Sequence, residues 1–145
     1  WKYGIITLIT LLHDVVIPAA LFAFLGKFNG VTIDTNFIVA LLVVMGFSVH
    51  DTIVVFDRIR ENLTHFRDRL SLEEIVDKSI TNTIVRSINT SVTLVLVLLA
   101  LYFWGPVALK YFILAILVGT VAGAYSSVFV ASPLLLLAGK GKKRG

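Results

Sequence analysis

Residues 46–62 read GFSVHDTIVVFDRIREN, and this stretch decides the fold. It begins as an apolar segment, places one carboxylate, Asp51, among aliphatic side chains, and ends in a charged run. An acid inside a segment of hydrocarbon length is energetically costly, so it needs a partner, a proton or a function. The charged run marks the end of the apolar segment. The stretch therefore predicts a membrane-spanning helix that carries a functional acid near one end.

The composition of the whole chain agrees with a membrane protein. Of its 145 residues 57% are hydrophobic and 15% are charged, with a mean hydropathy of +0.92. A soluble domain of this size could not bury that much apolar surface. There is no cysteine, which excludes a disulfide framework and a thiolate site. Because no catalytic triad, phosphate loop, cofactor motif or metal-ligand spacing emerges, we expect no enzyme, cofactor or metal site.

Four apolar runs predict an all-α bundle of four transmembrane helices. They cover residues 3–25, 37–56, 80–104 and 107–137. Each exceeds the ~20 residues that a helix needs to cross the hydrocarbon core. Helices are expected because backbone groups cannot stay unpaired in lipid.

The connection over residues 57–79 contains a capping-box pattern, Ser71 followed by Glu74, and then an apolar face. Two interpretations of this segment stay open. One is a short amphipathic helix on the membrane surface, and the other is an extension of the third helix.

The distribution of basic residues predicts the orientation. Of the 13 Lys and Arg, five lie in the connection 57–79 and four in the basic tail 138–145, while the other two connections hold one each. By the positive-inside rule the side with the middle connection and the C-terminus is cytoplasmic. This clustering explains the pI of 9.6 better than nucleic-acid binding does.

Asp51 and Arg86 are predicted to lie at the same depth. Helix rise places Asp51 ~8 Å and Arg86 ~9 Å inside the same edge of the membrane. Pairing at equal depth, permanent or intermittent, is the least costly arrangement for two charges in lipid. The alternative is that Arg86 extends to the head groups.

Polar side chains form one stripe on each of the two middle helices. On the third helix the stripe comprises Asn82, Arg86, Asn89, Thr90 and Thr93, and on the second it comprises Ser48, Asp51 and Thr52. Facing each other, they would make a wet track from the cytoplasm. The alternative is hydrogen bonding that only holds helices together.

Asp14 lies deeper in the first helix, one turn before Pro18, which cannot bond to the Asp14 carbonyl. It is either a second proton-handling group or an acid satisfied by the polar stripe. His13 and His50 titrate near neutral pH in water, but polar contacts are the favoured interpretation of both.

Small residues recur every four positions in the fourth run: Ala115, Gly119, Gly123, Ser127 and Ala131. Such a ridge allows another backbone to approach closely. It predicts helix packing, either within the chain or against another subunit.

Three segments of the chain resemble the SecF family of the bacterial protein-export machinery, a relative of the resistance-nodulation-division transporters. They are SVHDTIVVFDRIREN at 48–62, SITNTIVRSINTS at 79–91 and, more weakly, LLHDV at 11–15. His50 departs from the family, where an Asn is usual. The resemblance implies the last four helices of a six-helix unit, without the first two helices and the external domain.

The resemblance also implies a function. An auxiliary subunit of the Sec translocase in the bacterial cytoplasmic membrane would work with SecD and the SecYEG channel on a translocating polypeptide, among membrane lipids. It would couple the proton-motive force to export. The residues themselves offer Asp51 with Arg86 as the proton-coupling groups, with Asp14 as a second candidate. Two alternatives stay open: an exporter of small molecules or lipids, and a scaffold without transport, which would tolerate a neutral residue at Asp51.

Overall fold

The computed structural model describes residues 1–66 and 68–140, and all regular secondary structure in them is helical. The helices are α1 (Lys2–Asn29), α2 (Thr35–Phe66), α3 (Leu72–Trp104), α4 (Lys110–Phe129) and α5 (Ala131–Lys140), with a 3₁₀ turn at Val107–Leu109 before α4. The predicted all-α class is therefore confirmed. Arg67, Lys142, Lys143 and Arg144, which contribute to the predicted charge asymmetry, lie outside the described residues.

Four helical stretches are long and apolar enough to cross a membrane. They are Lys2–Asn29, Thr35–Phe66, Leu72–Trp104 and Val107–Gly139. The first two are joined by a turn whose residues explain where each helix stops. Gly30 adopts the left-handed conformation with φ 67°, which ends α1. The Asp34 carboxylate then accepts a hydrogen bond of 3.0 Å from the Phe37 N–H and caps α2.

The connection between α2 and α3 contains the predicted capping box. The Ser71 hydroxyl accepts from the Glu74 N–H, and the Glu74 carboxylate accepts from the Ser71 N–H at 2.7 Å. From there α3 runs without a break to Trp104, and Ile75 and Val76 in its first turns are buried. The surface-helix interpretation is therefore wrong, and the segment extends the third helix.

The fourth apolar run is broken near its end. Helix α4 stops at Phe129 and α5 starts at Ala131. Pro133 explains the break, because it has no N–H to offer the Phe129 carbonyl one turn earlier. Pro18 has no such effect, since α1 continues through it.

Helix α4 lies at the centre of the bundle and packs against α1, α2 and α3. Its small-residue ridge faces inward: Ala115 is fully buried, and a Cβ built at Gly119 would overlap the Val44 side chain of α2. The ridge is therefore a packing surface within the chain. Of the two interpretations from sequence, the internal one describes this structure.

Two apolar clusters occupy the ends of this bundle. One contains Phe56, Ile59 and Leu135, and the other contains Phe22, Phe37 and Leu98. Buried polar side chains lie along the helices between them: Thr10, Asp14, Ser48, Thr52, Thr83, Ser87, Thr120, Ser126 and Ser127. The apolar clusters thus hold a polar layer in the interior of the protein.

Candidate functional site

Asp51 lies where α2, α3 and α4 meet, and serines from the other two helices hold its carboxylate. The Ser87 hydroxyl lies 2.7 Å from Oδ1 and 2.9 Å from Oδ2. The Ser127 hydroxyl donates to Oδ2 at 2.5 Å. Because an ionised carboxylate can only accept hydrogen bonds, both hydroxyls act as donors to it. Three helices are therefore joined through one half-buried acid.

Asp14 on α1 is fully buried and has a similar set of partners. Ser48 of α2 and Ser126 of α4 both donate to its Oδ2, the latter at 2.7 Å. On the other side, Oδ1 lies 3.1 Å from Nδ1 of His13. Gly123 of α4 packs beside this group, since a Cβ built there would be in ordinary van der Waals contact with Oδ2 of Asp14 at 3.8 Å.

The residues that build the two acid sites lie in the same turn of α2 and in the same turn of α4. Ser48 and Asp51 are three residues apart on α2, and Ser126 and Ser127 are neighbours on α4. Adjacent serines on a helix point about 100° apart, so one reaches α1 and the other reaches α2. We call this set the carboxylate layer, and its members are Asp14, Ser48, Asp51, Ser87, Ser126 and Ser127.

No Lys or Arg in the described part of the chain lies within 4 Å of either carboxylate, and the one ionisable neighbour is His13. The same residues contain no cluster of three His, Asp or Glu side chains of the kind that binds a metal. The acids are thus surrounded by hydroxyl groups rather than by fixed positive charge.

Arg86 does not contact Asp51, although the two lie at a similar depth. It is exposed and lines a surface cleft with Asp57, Arg58 and Glu61. The reason is direction: Ser87 points at Asp51, and the preceding residue is turned about 100° away around α3. The prediction of a permanent ion pair is therefore wrong for this structure.

The predicted pair of facing stripes is also wrong in part. Ser48 and Thr52 are buried as expected, but the α3 stripe lies on the outside of the bundle. Its exposed members are Asn82, Asn89, Thr90 and Thr93. The hydroxyls of Thr90 and Thr93 donate to carbonyls of their own helix at 2.9 and 2.8 Å.

A different stripe of α3 faces the interior, and sequence reasoning missed it. It comprises Ser79, Thr83, Ser87 and Ser91, all buried at intervals of four residues. That spacing of small hydroxyl side chains was a readable signal. Ser126 was missed as well, and Ser127 was assigned to packing alone. In the structure both serines of α4 also bind the acids.

Long apolar helices around a buried layer of acids and hydroxyls define a polytopic membrane protein of transporter-like construction. Comparison with known proteins gives the family. The family model for protein export membrane protein SecD/SecF, C-terminal, matches residues 1–141, and the chain belongs to this family. The resemblance found in the sequence is thus confirmed.

Individual relatives agree. The chain is 56% identical to the protein translocase subunit SecF of Thermobaculum terrenum over 94% of its own length and 43% of the relative. It is 43% identical to that of Synechocystis sp., over 91% of the chain and 42% of the relative. The chain thus spans less than half the length of these relatives.

A solved structure supports the fold. The crystal structure of SecDF in its super-membrane-facing form superposes with a TM-score of 0.85 at 38% sequence identity. The match covers 99% of this chain and 19% of the SecDF chain. The bundle described above therefore corresponds to one part of a much larger membrane protein.

Proposed function

We propose that this chain is the helical part of an auxiliary Sec translocase subunit, which couples the proton-motive force to protein export. Its partners are SecD, the SecYEG channel and the translocating polypeptide. Family membership and the likeness to SecDF support this assignment. The chain then corresponds to the last four helices of a six-helix unit in the bacterial cytoplasmic membrane, with its C-terminus in the cytoplasm.

The observation that carries the proposal is the set of partners around Asp51. Both are hydroxyls, from Ser87 and Ser127, and no basic side chain in the described residues lies within 4 Å. A serine hydroxyl can donate to a carboxylate and, after rotation, accept from a carboxylic acid. The site therefore accommodates the acid with or without its proton, as a proton-coupled site must.

A change of protonation at Asp51 alters the forces between three helices. Hydrogen bonds to an ionised carboxylate are roughly twice as strong as neutral ones. Uptake of a proton therefore weakens the attachment of α3 and α4 to α2. In the whole subunit such a change in helix packing would be transmitted to the parts outside the membrane.

Arg86 has a separate place in this proposal. Arg86 is exposed in this structure, and in the proposed cycle this arrangement is the state in which the acid and the arginine are apart. In another state the two meet, so that the arginine stabilises the ionised acid. Asn82 shares the cleft with Arg86, and Asn89, Thr90 and Thr93 line a groove farther along α3. These residues lie on the outer face of α3 and do not meet Ser48 and Thr52, so the route proposed for protons inside the bundle runs through the buried hydroxyls.

Asp14 is the second proton-handling group of the proposal. It is fully buried, it is held by serines as Asp51 is, and it shares single turns of α2 and α4 with Asp51. A proton gained at one acid therefore changes the hydrogen bonds of helices that also serve the other.

The test uses the full-length subunit with SecD in membrane vesicles energised by a proton gradient. Asp51→Asn keeps the size of the side chain but removes the titrating group, so proton-driven stimulation of export is expected to be lost while the complex still assembles. Asp77→Asn is the control, because Asp77 is an exposed acid on α3 that lies outside the cleft of Arg86. Full stimulation in Asp51→Asn would leave only a scaffold role.

A further inference from the structure

Asp14 is the more enclosed of the two acids, and one titratable side chain in the described chain touches it. The Asp14 side chain is 0% exposed, whereas the adjacent His13 side chain is 40% exposed. The ring nitrogen Nδ1 of His13 lies 3.1 Å from Oδ1 of Asp14. His13 thus connects a closed carboxyl group with the outer surface of α1.

The helices packed around Asp14 supply few other groups that could exchange a proton with it. Helix α2 contributes the Ser48 hydroxyl and, one turn on, Asp51, while α4 contributes Ser126 and the surface at Gly123. None of the buried residues of α4 is ionisable, and the other buried residues of α1 are apolar or, at Thr10, a hydroxyl bonded to its own backbone. Asp51 and His13 are therefore the titratable groups around this acid in the described chain.

The two histidines that precede the two acids differ in geometry. His50 comes before Asp51 as His13 comes before Asp14, but it is exposed and makes no hydrogen bond to either acid in the described residues. Asp51 itself is half-buried and reaches the surface without help. Only the fully enclosed acid has a histidine in contact with it.

We propose that His13 is the group through which Asp14 exchanges its proton with the surroundings of the protein. This inference rests on the proposed role of Asp14 in proton coupling. The ring takes up a proton at Nε2, and the resulting imidazolium gives the proton on Nδ1 to Oδ1 of Asp14. Neutral imidazole and neutral carboxylic acid remain, and release runs through the same atoms in reverse. Histidine suits this task because its two nitrogens can be loaded and unloaded in turn.

Proton exchange through His13 also requires a polar environment on the outer side of its ring. An imidazole that exchanges protons needs water or a polar group at Nε2, so this point of α1 faces a hydrated or polar surface rather than lipid tails. In the whole complex that surface belongs to the same or a neighbouring subunit, or to a water-filled opening.

The test measures proton exchange at Asp14 in the full-length subunit with SecD, reconstituted in lipid. Infrared spectra after a pH jump or a change to D₂O report the carboxyl band, which Asp14→Asn identifies by difference. His13→Asn keeps an N–H donor near the position of Nδ1 but cannot carry a proton. Loss of a positioned proton-transfer group is expected to slow the exchange roughly a hundredfold. His50→Asn is the matched control and should exchange at the rate of the unmodified protein.

A second variant separates proton transfer from structure. In His13→Ala, added imidazole should restore the exchange rate, which it cannot do if His13 only holds the helix in place. Exchange in His13→Asn at the unmodified rate, or failure of imidazole to accelerate His13→Ala, would overturn the proposal. The infrared measurement does not depend on export. If His13→Asn slows the exchange and Asp51→Asn exports fully, this inference stands and the proposed function fails. If His13→Asn exchanges at the unmodified rate and Asp51→Asn does not support export, the proposed function stands and this inference fails.

Discussion

The hydroxyl oxygen of Ser127 on α4 lies 2.5 Å from a carboxylate oxygen of Asp51 on α2. The same helix face holds Gly119, where α4 meets the Val44 side chain of α2 without room for a Cβ. One face of α4 therefore provides both the close approach to α2 and the hydrogen bond to Asp51. A side chain larger than glycine at 119 would separate the helices and lengthen the bond at Asp51.

Removal of the Ser127 hydroxyl is expected to destabilise the bundle. A hydrogen bond to a charged group contributes about 1.5–3 kcal/mol, so Ser127→Ala should lower the free energy of unfolding by that order. Ser87→Ala should act in the same direction. Thr90→Ala is the control, because Thr90 is exposed on α3 and its hydroxyl bonds only to its own helix. Denaturation in detergent measures the differences, and equal stability of Ser127→Ala and Thr90→Ala would contradict the geometry at Asp51.

The contact between Gly119 and Val44 predicts a second effect on stability. An added methyl group in a packed core typically costs about 1–3 kcal/mol, and Gly119→Ala should do so because Val44 cannot move aside freely. Gly46→Ala is a matched control on α2, since a Cβ there meets nothing within 4 Å. The double change Gly119→Ala with Val44→Ala should lose less stability than the sum of the two single changes. Additive losses would show that these residues do not meet.

The position of Arg86 predicts that it does not contribute to stability through Asp51. Because the two are apart in this structure, Asp51→Asn and Arg86→Leu should lower the free energy of unfolding additively, within about 0.5 kcal/mol. Export should nevertheless fail in both, since the proposed cycle brings the two groups together. A double-mutant cycle on purified protein measures the coupling. A large coupling energy in the resting protein would restore the permanent ion pair.

The orientation can be tested directly because the chain contains no cysteine. A cysteine at Arg69, in the turn after α2, should react with a membrane-impermeant reagent from the cytoplasmic side. A cysteine at Asn29, at the end of α1, should react only from the opposite side. The reverse pattern would invert the predicted topology and with it the cytoplasmic route to Asp51.

Sequence patterns predicted the helices well, because each signal was local. Length and hydropathy indicated the four apolar helices, and the Ser71–Glu74 spacing indicated the start of α3. The sequence did not decide whether the residues before 80 form a separate helix on the membrane surface or extend the third helix. That depends on burial of Ile75 and Val76 against other helices, which no local pattern reveals.

The two acids inside the helices were found from the sequence, but most of their partners were not. Asp51 and Asp14 stand out because carboxylates are rare in apolar segments. Depth along a helix also follows from residue number, so Asp51 and Arg86 were placed at the same level. Direction around the axis depends on which face packs inward, and that face contains Ser87 rather than Arg86. Ser87 and Ser126 were overlooked because a single hydroxyl in an apolar helix gives a weak signal, whereas Ser48 was expected in a polar stripe and Ser127 only in packing.

The central claim is that Asp51 takes up and releases a proton during export. Proton flux into lipid vesicles that contain the full-length subunit, SecD and the channel tests it most directly, with a pH-sensitive dye as the readout. We predict that Asp51→Asn abolishes flux driven by an imposed gradient and that the exposed control Asp77→Asn retains it. Flux through Asp51→Asn at the level of the unmodified protein would contradict the account.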